Sequence, residues 1–150
     1  MIEAAGWIAI VDDDPDVLKG LARLLRTRSI PAKSFGSGQE FLAALRDGLP
    51  NCLILDLQMP EMTGLELQQH LVRGGIQIPT IIITAHGDIA VRERCEAAGA
   101  VAFLSKPVQD TSLFAAIDDA SRISRACFYS TSGASKVFNA FLPSSVRCLR

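Results

Sequence analysis

Cys52-Leu53-Ile54-Leu55-Asp56-Leu57-Gln58-Met59-Pro60-Glu61-Met62-Thr63-Gly64 opens with four apolar residues and then meets a carboxylate. An unbroken apolar run of this length suits a strand buried on both faces, so Asp56 stands at the mouth of a buried strand. Pro60 cannot donate to a sheet ladder and Gly64 accepts a positive φ, so the chain is expected to leave the sheet and turn before the next helix. Asp56 is thereby held on a rigid element with an irregular loop beside it.

Upstream, Trp7-Ile8-Ala9-Ile10-Val11 is a second buried-strand segment that also ends in acid, at Asp12-Asp13-Asp14 before Pro15. Asp14 reads as an N-cap with Pro15 at the first helical position, and Val17, Leu18, Leu21, Leu24 and Leu25 recur at helical spacing to about Arg28. Ile30–Phe35 is a short extended segment that Pro31 confines to a strand start or an edge. Ser37 with Glu40 forms a capping box for a helix through Phe41, Leu42 and Leu45 that ends at Asp47-Gly48.

Downstream, a helix from Thr63 carries Leu67 and Leu71 and stops at Gly74-Gly75. Thr80-Ile81-Ile82-Ile83-Thr84 is wholly β-branched and reads as a strand. Gly87-Asp88 opens a helix with Val91, Cys95 and Ala98 on one face, and Val101–Ser105 is a fifth strand ending at Lys106-Pro107. A last helix from a cap near Asp110 uses Leu113, Phe114 and Ile117.

Strand and helix therefore alternate five times, with connections too long for hairpins. The expected fold is α/β: a doubly wound, five-stranded parallel sheet with five helices on its two faces. Ligands of such sheets collect outside the carboxyl ends of the strands. There the sequence sets Asp12, Asp13 and Asp14, Asp56, Thr84 and Lys106. Crowded carboxylates raise one another's pKa unless a cation neutralises them, and oxygen-only donors with room for water suit Mg²⁺ rather than zinc. A carboxylate so placed can act as a nucleophile toward phosphorus, with a lysine balancing charge on the phosphoryl oxygens. Asp14 is accounted for by capping alone.

Composition is that of an ordinary globular protein: 150 residues, 49% hydrophobic, 21% charged, net charge −1. The charge is uneven. Residues 1–121 carry a balance of −6, whereas residues 122–150 hold five cations, Arg122, Arg125, Lys136, Arg147 and Arg150, and no acid. The first part reads as one domain and the second as a basic extension or linker remnant without an independent fold. In that extension Val137, Phe138, Phe141 and Leu142 make an apolar patch suited to lie in a groove. Its cations are too scattered for specific DNA recognition, so none is expected of this chain alone. Cys52, Cys95, Cys127 and Cys148 form no paired motif, which favours free thiols in a reducing compartment. The N-terminus has no secretory pattern and no apolar run approaches a membrane span, so a cytoplasmic location is expected.

These residues resemble the receiver domain of two-component response regulators over about residues 7–121. Val11-Asp12-Asp13, Asp56-Leu57-Gln58-Met59-Pro60 with Gly64, Thr84-Ala85 and Lys106-Pro107 arrive in that family's order and approximate spacing. Met59–Gly64 and Thr84–Asp88 look most like FixJ-type receivers, which precede a LuxR-type helix-turn-helix; the chain is too short beyond residue 121 for that module. The resemblance implies the strand order 2-1-3-4-5 and a role in signal transduction and transcription regulation. It also implies phosphoryl transfer to Asp56 from a sensor histidine kinase, in a phosphorelay rather than as a turnover enzyme. Asp13, Asp56 and the backbone carbonyl of Gln58 would hold Mg²⁺, with Asp12 helping through water. Thr84 and Lys106 would bind the phosphoryl group, and Phe103 would follow Thr84 as an aromatic switch. Gln58 and His86 would tune acyl-phosphate lifetime, and the peptide before Pro107 would be cis. Homodimerisation through the fourth helix and fifth strand is implied as well. The alternative, a haloacid-dehalogenase-type phosphohydrolase, needs a second acid two residues after its nucleophile, where Gln58 stands. A flavodoxin-like carrier needs an open, uncharged loop after the first strand, where three aspartates stand.

Overall fold

A computed structural model describes residues 6–85 and 87–131, with side chains as far as residue 123. Five parallel strands, β1 (Ile8–Val11), β2 (Ala32–Phe35), β3 (Cys52–Asp56), β4 (Thr80–Thr84) and β5 (Ala100–Ser105), form one sheet in the order β2-β1-β3-β4-β5. The helices α1 (Pro15–Arg26), α2 (Gly38–Ala44), α3 (Gly64–Arg73), α4 (Ile89–Ala97) and α5 (Asp110–Thr131) connect and follow them.

Alternation along the strands explains why both faces need helices. Ala9, Val11, Leu53, Leu55 and Ile82 point to one face, where they meet Phe41 of α2, Leu67 and Leu71 of α3 and Cys95 of α4. Ile8, Ile10, Ile54, Ile81 and Ile83 point to the other, against Leu21 and Leu25 of α1 and Leu113 and Ile117 of α5. The three inner strands are buried along their whole length, whereas edge strand β2 is half-buried at Ala32 and Phe35 and exposed at Lys33 and Ser34 between them. Each fully buried Ile or Leu contributes about 1.5–3 kcal/mol, so these two layers carry the stability of the fold.

Local signals set the helix starts. Asp14 caps α1 by accepting from the Asp16 N–H, with Pro15 in the first turn. Thr63 and Glu66 form a reciprocal capping box for α3. The box expected at Ser37 and Glu40 forms in part: Ser37 accepts from the Glu40 N–H, but Glu40 Oε1 reaches back to Gly36 N rather than to the cap residue. Two boundaries are tighter than the sequence suggests. Strand β2 starts at Ala32, after Pro31, and α2 gives way after Ala44 to a 3₁₀ turn, Leu45–Asp47, before Gly48 at φ 141°.

Gly64 requires a correction. It lies in the first turn of α3 without a positive φ; the left-handed residue in this loop is Glu61, at φ 71°. The Met62 N–H returns to the Pro60 carbonyl at 2.7 Å, closing a γ-turn around Glu61. What excludes a side chain at Gly64 is proximity, since a Cβ there would fall 2.5 Å from the Asp56 carbonyl oxygen.

Helix α5 continues to Thr131 and so passes through residue 121 without a backbone break. The apolar patch at Val137, Phe138, Phe141 and Leu142 lies outside the described residues, as does His86. Among the described residues no helix is long and apolar enough to cross a membrane. Cys52 and Cys95 are free and buried; burial pushes their thiols up, to about 12 and about 11, which leaves them unreactive at neutral pH.

Candidate functional site

The chain runs from β1 outward to β2 and then crosses back to β3, so the sheet reverses direction between β1 and β3. Val11 pairs with Leu55, which sets Asp12 and Asp56 side by side just past the carboxyl ends of the two strands. Both are buried, at 0% and 3% exposure, while Asp13 faces solvent. One carboxylate oxygen from each of Asp12, Asp13 and Asp56 lies within 4.8 Å of the others, an arrangement able to hold a metal ion.

Lys106 reaches this cluster from the end of β5. Its backbone N–H donates to the Thr84 carbonyl at 2.9 Å, which fixes where the side chain begins. Its Nζ donates to Asp12 Oδ2 at 3.0 Å and lies 3.3 Å from Asp56 Oδ1. The other oxygen of Asp12 accepts from the Asp14 N–H at 2.9 Å. Asp12 is therefore occupied on both oxygens, and Asp13 and Asp56 are the carboxylates better placed to serve an incoming cation.

Electrostatics separates the two ends of this bridge. Burial raises the Asp56 pKa above the ordinary carboxylate value, and the neighbouring Asp12 charge raises it further. Lys106 and the Gln58 N–H only partly offset this. Burial alone would lower the Lys106 pKa, but its hydrogen bond and charge contact with Asp12, together with Asp56, outweigh that and raise it. The site thus holds a firmly protonated ammonium beside a carboxylate short of positive charge. Oxygen donors only, one lysine and excess negative charge fit a hard divalent cation.

Thr84 closes β4 and is buried at the same edge, in register with Ser105. Gln58 exposes its side chain two residues after Asp56. Phe103 on β5 is half-buried, with the Arg92 guanidinium 5.5 Å from its ring centre and the Gly87 position against its edge. The Lys106–Pro107 peptide is cis. The structure thus brings Asp12, Asp13, Asp56, Thr84 and Lys106 to one sheet edge and leaves Asp14 as a cap.

A family model for the response regulator receiver domain matches residues 8–118. The chain belongs to that family. Among curated receivers' parent proteins, the response regulator protein TodT of Pseudomonas putida is 42% identical over 117 residues, covering 78% of this chain and 52% of TodT. The transcriptional regulatory protein FixJ of Rhizobium meliloti is 41% identical over 114 residues, covering 76% of this chain and 56% of FixJ. The chain thus spans about half the length of the curated relatives it matches. Of solved structures, the receiver is similar to FixJ-N, with TM-score 0.73, 39% identity and coverage of 80% of this chain and 96% of that one. It is also similar to the response regulator StyR, with TM-score 0.80, 36% identity and coverage of 86% and 65%. Five parallel strands in the order 2-1-3-4-5 with five helices are the receiver fold.

Two residues that support the site were not singled out from the sequence. Met62 packs where a Cβ on Gly38 would lie, 2.7 Å from its sulfur, and so seats the loop after Asp56 on the start of α2. Gln68, buried at 1%, donates to the Cys95 carbonyl at 3.2 Å and ties α3 to α4. A polar residue on the apolar face of α3, between Leu67 and Leu71, is the one signal that marks Gln68 in advance.

Proposed function

We propose that this receiver accepts a phosphoryl group on Asp56 from a phosphohistidine of a sensor histidine kinase and converts the event into a change of surface. The observation that carries this reading is the Lys106 ammonium set between buried Asp12 and buried Asp56 at the reversal point of the sheet. In the transfer a carboxylate oxygen of Asp56 bonds to phosphorus as the bond from phosphorus to the imidazole nitrogen breaks. The electron pair leaves with the imidazole, which then takes up a proton. Negative charge spreads over the phosphoryl oxygens, and Lys106 is already in place to balance it without reorganisation.

Asp13, Asp56 and the Gln58 backbone carbonyl would hold Mg²⁺, with Asp12 assisting. When bound, the ion supplies the positive charge that this carboxylate group otherwise lacks. Thr84 is assigned to donate its hydroxyl to the phosphoryl group, and Phe103 to move with it. The surface of α4 and β5, where Ile89 is 77% exposed, is then the face that changes and the one through which a second receiver docks. Gln58 and His86 are assigned to tune the lifetime of the acyl phosphate. Residues 1–121 act as the phospho-acceptor unit and residues 122–150 as its extension. By analogy with the regulators it resembles, its output is control of transcription within the cytoplasm, and this chain alone has no sequence-specific DNA binding.

Borohydride trapping tests the assignment at residue level. Borohydride reduces an acyl phosphate to an alcohol, so treatment after incubation with acetyl phosphate and Mg²⁺ should convert residue 56 to homoserine in the peptide map. Homoserine at another aspartate, or none, contradicts the proposal.

A further inference from the structure

The receiver's balance of −6 conceals a second segregation of charge. Between Asp16 and Glu40 the chain has five cations, Lys19, Arg23, Arg26, Arg28 and Lys33, and no acid; the remainder of residues 1–121 carries −11. All five side chains are exposed. Among the described residues the ion pairs are Arg92–Glu96, Lys106 with Asp12 and Asp56, and Arg122–Asp119, so none of the five has a carboxylate partner. Arg28 lies over the Phe114 ring at 3.7 Å and Lys33 over the Trp7 ring at 4.7 Å, contacts that hold the side chains and keep their charge.

Lys19, Arg23 and Arg26 stand at i, i+4 and i+7, one stripe along α1. Like charges at these spacings weaken a helix. The helix dipole favours Arg23 and Arg26 in the last turn but explains neither Lys19 in the middle nor Lys33 on the neighbouring strand. The stripe borders a groove of about 380 Å³ whose walls include Leu18 and Ala22 of α1 and Ser34 of edge strand β2. This groove is separate from the one on the opposite side of α1, which Val17, Gly20, Leu21 and Leu24 form with Lys106 and Pro107 beside the phospho-acceptor site.

We propose that the basic groove between α1 and β2 is a docking surface for an acidic, extended segment of a partner protein. An extended chain presents carboxylates on one face about every 7 Å. The stripe presents cations at rises of about 6 Å and 4.5 Å, close enough for successive acids to meet successive cations. Apolar side chains of such a segment would cover Leu18 and Ala22, which a phosphate backbone has no means of using. A long polyanion continuing along α1 past the stripe would also meet Asp13, Asp14 and Asp16, whereas a short acidic segment seated on Lys19, Arg23 and Arg26 need not extend to them. The lining of this groove includes none of Asp12, Asp13, Asp56, Thr84 and Lys106, so its occupant need not cover the phospho-acceptor site.

The test is fluorescence anisotropy of the full chain with a fluorescein-labelled peptide alternating glutamate with leucine and serine, at low and moderate salt. Wild type should bind with an affinity that falls as salt rises, and Lys19→Glu/Arg23→Glu/Arg26→Glu should bind about tenfold more weakly or worse. Arg73→Glu/Arg94→Glu, on exposed positions of α3 and α4, should bind like wild type, and an unchanged circular dichroism melt would show the triple variant folded. No binding by wild type, or equal binding by the triple variant, overturns the proposal. Tighter binding of a duplex DNA or of phosphatidylglycerol vesicles than of the peptide, lost in the same triple variant, overturns the choice of partner.

Discussion

Asp56 is the residue at which burial and charge conflict. Its folded pKa is raised, by burial first and by Asp12 second, so without a metal ion the native state binds its proton more tightly than the unfolded chain does. Stability then falls as pH rises from the ordinary carboxylate range through the folded pKa, and the loss is complete above it. Asp56→Asn removes that loss. In metal-free buffer the variant should melt above wild type at neutral pH, the difference shrinking as pH is lowered and also when Mg²⁺ is added to wild type. A variant that melts below wild type at neutral pH contradicts this electrostatic account. Gly64 gives a steric counterpart: Gly64→Ala places a Cβ 2.5 Å from the Asp56 carbonyl and 3.0 Å from the Leu57 Cα, both backbone atoms that cannot swing aside. The substitution should cost about 1–3 kcal/mol or more in urea denaturation and slow phosphorylation by displacing the end of β3.

At the scale of the element, α3 is fixed at its start by the Thr63–Glu66 box, and its first residue lies against the end of β3. Thr63→Ala should cost about 1 kcal/mol by urea denaturation, as an exposed cap does, whereas Glu66→Gln should cost less because an amide oxygen still accepts from the Thr63 N–H. A loss equal to that of a large core truncation would mean that Thr63 does more than cap. Strands β3 and β4 were legible because the interior of a strand buried on both faces is apolar, as residues 52–55 and 81–83 are, and Asp14, Thr63 and Asp88 marked helix starts by the chemistry of capping. The γ-turn at Glu61 was not legible, because nothing local marks a glutamate for a positive φ. Gly64 was misread for a related reason. A glycine required for close approach looks the same in sequence as one required for a left-handed turn.

Across the whole molecule, the strand order follows from one reversal between β1 and β3, and that reversal brings together residues as distant in sequence as Asp12 and Lys106. The membership of the site was legible because every contributor ends a strand or lies within two residues of a strand end. Its internal pairing was not: a strand-end position does not tell that Asp12 spends one oxygen on the Asp14 N–H and the other on Lys106. The two layers of helices cover the sheet on both faces, so the proposed change at its edge would have to reach a partner through surface elements such as α4. The central claim is that this edge makes Asp56 the phosphoryl acceptor. Intact mass spectrometry after incubation with acetyl phosphate and Mg²⁺, comparing wild type with Asp56→Asn, tests it most directly. Wild type should gain the mass of one phosphoryl group and the variant none; equal labelling of the two proteins would contradict the account.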